Sequence, residues 1–180
     1  MNIILFGFKK CGKSYYGLKA AQKLHMHFID SDLLIEKVYT QIYHHTLSYR
    51  DIVRKHGFPF FRMLEKLVLP LLMQEKNSLI SLGGGMVLDP ENVERLKDLG
   101  PMIFLNVSKE SLQKRILSSD PPSYIDPHHP VESFEALYKE RLPIYQAIPA
   151  HVLEMNEDSE EENLADLIDL ISEIKKKQKT

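Results

Sequence analysis

Eight residues near the start of the chain, Gly7-Phe8-Lys9-Lys10-Cys11-Gly12-Lys13-Ser14, carry the spacing Gly-x-x-x-x-Gly-Lys-Ser of a phosphate-binding loop. Gly7 lets the chain turn sharply as it leaves a strand, and Gly12 lets backbone N–H groups approach an anion without a Cβ in the way. Those N–H groups and the following helix N-terminus present partial positive charge to phosphates. Lys13 adds a full charge near the β- and γ-phosphates, and Ser14 supplies a hydroxyl for Mg²⁺. Nucleotide binding is the first expectation.

Three further groups have types suited to chemistry. Asp30 and Asp32 alternate, so one could face a metal and the other a second substrate; acids at such a place also cap helices. Gly83-Gly84-Gly85 is either a flexible loop or a floor where backbone N–H groups meet ligand oxygens. Arg62 and Glu65 stand one helical turn apart. They form either a surface ion pair or a rigid fork in which Glu65 holds Arg62 to grip a carboxylate. His25, His27, His44, His45, His128 and His129 lack the spacing of a zinc site, and no metal is assigned to them.

The elements that must position these groups follow from the hydrophobic pattern. Asn2 to Phe6 reads as a strand buried on both faces, and Lys13 to Leu24 as the helix after the loop. His27 to Ile29, Ser78 to Leu82, Met102 to Asn106 and His151 to Met155 read as further strands. Helices are expected over Leu33 to Tyr39, Thr46 to His56 with Gly57 as stop, and Phe60 to Glu75 with a disturbance at Pro70. Others start at Asp89-Pro90-Glu91 and Ser108, run from Val131 to Tyr145 despite Pro143, and close the chain behind the acids of residues 157–162. Strands alternating with helices predict an α/β fold with a parallel sheet covered on both faces. In such sheets ligands sit at the carboxyl ends of the strands, where the loop, the acids and the glycines all fall.

A chain of 180 residues suits one domain spanning 1–180, with insertions at about 32–75 and 118–130. Its 43% hydrophobic and 27% charged residues describe an ordinary globule, and a net charge of −2 gives no electrostatic reason to expect nucleic acid. Cys11 is the only cysteine, so no internal disulfide exists; it is either a small filler or a redox-sensitive thiol. No signal peptide or membrane span is visible, and a cytoplasmic location is expected.

Together these pieces resemble the shikimate kinase family. The resemblance rests on Gly7 to Ser14, Phe28-Ile29-Asp30-Ser31-Asp32, Gly57 followed by Phe61-Arg62-x-x-Glu65, Ser81-Leu82-Gly83-Gly84-Gly85, and Glu140-Arg141-Leu142-Pro143-Ile144-Tyr145. It implies a three-layer P-loop NTPase fold with sheet order 2-3-1-4-5 and a mobile lid. It implies transfer of the γ-phosphoryl of ATP to the 3-hydroxyl of shikimate by an enzyme expected to be a monomer. Carried over, Lys13 steadies the phosphoryl group, Ser14 binds Mg²⁺ with Asp30 assisting, and Asp32 orients the attacking hydroxyl. Arg62 and Arg141 clamp the carboxylate, with backbone at Gly84 and Gly85 completing the pocket. Lys10, Cys11, Gly12, Tyr15 and Arg115 fall at nucleotide-binding positions.

Three departures stand out. The segment around Asp120 to Tyr124 lacks the family's lid arginine, for which Lys10, Lys114, Arg115 or His128 could substitute. Phe58 replaces an acid, and an arginine is missing around Asn156 to Ser159. Two other readings stay open: a kinase of another hydroxy acid such as gluconate, and a nucleotide-binding module that has lost catalysis.

Overall fold

The apolar run Ile3–Phe6 forms β1, and every one of its residues is buried. A strand covered on both faces belongs in the middle of a parallel sheet. It pairs in parallel with β3 (Ser78–Ser81) on one side and β4 (Met102–Asn106) on the other. The outer strands β2 (His27–Asp30) and β5 (His151–Glu154) complete the order β2-β3-β1-β4-β5. This computed structural model describes residues 1–118, 122, 124–157 and 159–178.

Helices cover both faces: α1 (Lys13–Lys23), α2 (Ser31–Tyr43), α3 (Tyr49–Leu72), α4 (Pro90–Leu99), α5 (Lys109–Leu117), α6 (Pro130–Ala147) and α7 (Glu160–Lys177). On one face α1 packs against α7. On the other, Phe6 stacks on Phe104 at 5.3 Å and meets the edge of Tyr145 from α6 at 6.2 Å. Asn2 ties the strand starts together, donating to Glu75 O at 2.7 Å and accepting from Ser78 N at 3.0 Å. No helix among the described residues is long and apolar enough to cross a membrane.

Two helices differ most in extent from the sequence pattern. Helix α2 begins at Ser31, because the Asp30 side chain caps it by accepting from Asp32 N at 2.9 Å; it then runs four residues past Tyr39. Helix α3 begins at Tyr49, capped by Ser48, whose hydroxyl accepts from Asp51 N at 3.2 Å. The predicted stop at Gly57 is a break inside α3, where φ 80° and ψ 172° interrupt the helix before Pro59. That helix also ends at Leu72 rather than Glu75, two residues beyond Pro70. Of the expected lid, Ser119, Asp120, Pro121 and Ser123 lie outside the described residues. The rest includes Ile125, which is buried and donates its N–H to Pro122 O at 2.9 Å.

Candidate active site

The phosphate loop links β1 to α1 as its spacing predicts. Gly7 has φ 142°, and a Cβ there would lie 2.8 Å from Leu105 O. Gly12 has φ 102°, and its Cβ would meet the Tyr16 ring at 2.6 Å. Gly12 occupies the N-cap of α1, so it offers no side-chain acceptor to the first-turn N–H groups. Lys13 is buried under the loop, its ammonium donating to Gly7 O at 3.0 Å and Phe8 O at 2.8 Å. The cavity above is lined by Lys9, Lys10, Gly12, Lys13, Ser14 and Tyr15, and by Asp30 and Ser81 across from them.

At the end of β2 the two acids divide. Asp30 accepts a hydrogen bond from Ser14 Oγ at 2.5 Å, and Ser81 Oγ stands 3.2 Å from the same hydroxyl. Hydroxyl and carboxylate oxygens are the hard donors that Mg²⁺ takes, and it needs few of them because it keeps several waters. Asp32 turns the other way, toward Gly83. Its surroundings withhold water, and the nearby Asp30 charge adds repulsion, so its carboxyl is pushed up to about 6; Lys13 and Lys9 pull it back down.

The three glycines each make room for a particular group. A Cβ on Gly83 would collide with the Asp32 carboxylate, and one on Gly85 with the Arg62 guanidinium. A Cβ on Gly84 would sit 3.4 Å from Gly7 O, against the phosphate loop. Ser31, fully buried, accepts from Gly83 N at 2.8 Å, and Tyr145 donates to Gly84 O at 2.6 Å. The turn after β3 is therefore a fixed floor and not a flexible loop.

Beside this floor lies a second cavity, lined by Arg62, Arg141 and Asp32 with the aromatic rings of Tyr49, Phe58, Phe61 and Tyr124. Arg62 donates to both oxygens of Glu65, at 2.6 and 2.5 Å, and Glu65 is only 1% exposed. The pair is thus no surface ion pair. Burial pushes Glu65 up to about 7, against the opposing pull of Arg62. Arg141 comes from α6 and stacks on Tyr124 at 4.9 Å. Its Nε is buried and has no hydrogen-bond partner among the described residues, which is costly for a charged group unless an anion completes it.

Most of the residues singled out in the sequence are brought together at these strand ends. Arg115 lies outside both cavities, its guanidinium 3.4 Å from Lys10 O. Cys11 is fully buried beneath the loop. Lys114 and His128, two of the candidate substitutes for a lid arginine, line neither cavity, and Lys10 lines only the first. Sequence reasoning gave no role to Lys9, Tyr49, Tyr124 or Tyr145. Tyr145 follows Arg141 by one helical turn and Lys9 lies within the phosphate loop, either of which could have flagged them; Tyr49 and Tyr124 carry no local signal.

The protein-family model described as shikimate kinase matches residues 9–172. A shikimate kinase of Syntrophus aciditrophicus is 34% identical over 183 residues, spanning 94% of this chain and 88% of its own. One from Caldanaerobacter subterraneus is 35% identical over 145 residues, or 81% of each chain. Among solved structures, a shikimate kinase from Acinetobacter baumannii in complex with shikimate superposes with a TM-score of 0.81 at 27% identity, covering 96% of this chain and 93% of that one.

Proposed function

The chain belongs to the shikimate kinase family, and we propose that its two adjoining cavities carry the γ-phosphoryl of ATP to the 3-hydroxyl of shikimate, giving shikimate 3-phosphate and ADP. The observation that carries this reading is the convergence of Arg62 and Arg141 on one cavity whose inner wall is Asp32, at the tip of the phosphate loop. A carboxylate bound to the two guanidiniums would complete Arg141 Nε, and the aromatic rings of Tyr49, Phe58 and Phe61 would cover the six-membered ring of the acid.

In this reading Lys13 leaves its loop carbonyls to meet the β- and γ-phosphates, together with backbone N–H groups from residues 10–15. Ser14 and Asp30 would hold Mg²⁺, which when bound neutralises charge on the phosphates. Asp32, with its carboxyl near 6, is mostly ionised at neutral pH and close enough to it to accept the acceptor hydroxyl's proton. Gly84 and Gly85 leave backbone bare beside the acid. Phosphoryl transfer asks chiefly for positioning and charge neutralisation, and these groups supply both.

A coupled ADP-release assay tests the proposal. Shikimate-dependent turnover with MgATP is expected. Turnover with gluconate instead would overturn the assigned acceptor, and ATP binding without turnover of either acid would overturn catalysis. Arg62→Ala should raise the shikimate KM about 100-fold, a loss of about 3 kcal/mol for charge-assisted hydrogen bonds, while ATP binding survives. An unchanged KM would remove Arg62 from the pocket.

A further inference from the structure

The two cavities share a seam, and the acceptor oxygen and the transferring phosphorus have to meet there. Lys13 lines only the nucleotide side of it; Arg62 and Arg141 line only the acceptor side. Lys9 lines both. Resting on the phosphoryl-transfer reading above, we propose that Lys9 is a further catalytic residue, whose ammonium neutralises the phosphoryl group as it crosses from nucleotide to acceptor.

The geometry fixes this side chain at both ends. At its root, the backbone N of Lys9 lies 3.5 Å from where a Cβ on Gly84 would be, so loop and glycine floor are in direct contact. At its tip, the ammonium stands over the Tyr49 ring, 4.7 Å from the centroid. A cation on an aromatic face is held but keeps its hydrogen-bond donors. No hydrogen bond among the described residues engages those donors. Arg50, the other cation at the seam, donates Nε to Tyr49 Oη at 3.2 Å and so braces the ring from beyond.

The step balances with these groups alone. The acceptor oxygen forms a bond to the γ-phosphorus while the bond from that phosphorus to the β,γ-bridging oxygen breaks. The electron pair leaves on the β-phosphate of ADP, and the hydroxyl proton passes to Asp32 and on to solvent. Charge is then spread over the three equatorial oxygens, and a cation at the seam meets them in transit more fully than in either ground state.

The test is Lys9→Met and Lys9→Arg in the full-length protein. Each is assayed for kcat, for the separate Kd values of ADP and shikimate, and for assembly of the complex of MgADP, tetrafluoroaluminate and shikimate. Lys9→Met should lower kcat by roughly 100-fold, the scale of a single transition-state donor. Affinity for the fluoroaluminate complex should fall by a similar factor, with ADP and shikimate Kd each moving less than threefold. Lys9→Arg should recover most of both losses. A kcat within threefold of wild type in Lys9→Met overturns the proposal, as does an equal loss of ADP affinity, which would make Lys9 a ground-state nucleotide contact. Failure of the wild-type enzyme to turn over shikimate would instead strike the parent reading.

Discussion

Glu65 presents a carboxylate to Arg62 from a position with almost no access to water, and its carboxyl is pushed up to about 7. An anionic acceptor arriving at the same guanidinium adds a negative charge nearby and raises it further. Binding must then take up a proton, so acceptor affinity is greatest where Glu65 is already protonated and declines as pH rises through about 7. Shikimate Kd should increase between pH 6 and 8.5, and titration calorimetry in buffers of different ionisation heat should register the proton. Glu65→Gln should flatten the dependence; a wild-type Kd that stays level across this range would contradict it. Lys13, Ser14, Asp30 and Arg62 were legible in the sequence because they sit in local patterns with stated chemistry, whereas Arg141 stood out only through the family resemblance of Glu140 to Tyr145. The roles of Lys9 and Tyr124 were not legible, because they arise only when segments distant in the chain close on one another. The glycines at 83 and 85 were half legible: their type signalled a floor, but the collisions with Asp32 and Arg62 that forbid a side chain are tertiary.

Among the elements, the turn from β1 into α1 carries an uncommon strain. Lys10 has φ 69°, a left-handed conformation that glycine adopts freely and that costs a side-chain-bearing residue about 1–2 kcal/mol. Lys10→Gly relieves that cost but adds freedom to the unfolded chain, about 0.5–1 kcal/mol in the other direction. The net expectation is a stabilisation of about 0.5–1 kcal/mol, visible as a higher urea midpoint at unchanged slope. A lower midpoint would show that Lys10 makes a contact worth more than its strain. The strands and their order were readable because runs such as Ile3–Phe6 are apolar without interruption. Helix limits were less so. Asp30 reads equally as a strand end or a cap, and only the hydrogen bond to Asp32 N decides it. Gly57 marks a break in either case, but whether one bent helix or two separate ones results depends on what packs around Pro59.

For the molecule as a whole, the closing helix is part of the site's foundation. Asn163 of α7 donates to Tyr16 Oη at 3.2 Å, and exchanges hydrogen bonds with the backbone of Asn156 at 2.6 and 2.7 Å. Tyr16 in turn lies against Gly12 in the phosphate loop. Replacing Asn163 by alanine removes all three bonds, and the loss at the buried Tyr16 hydroxyl alone costs about 1–3 kcal/mol. Asn163→Ala should lower stability in urea by about 2–4 kcal/mol and weaken ADP binding only modestly once folded; an unchanged midpoint would separate α7 from the loop. The docking of the Lys13 ammonium onto Gly7 O and Phe8 O has a kinetic reach as well. Its cation is not waiting in open water for any passing anion. An incoming ligand has to out-compete two oxygens of the protein itself, which chloride or a lone inorganic phosphate does poorly and a polyphosphate with several oxygens in line does well. The ammonium's resting place thus acts as a filter on what the loop will hold.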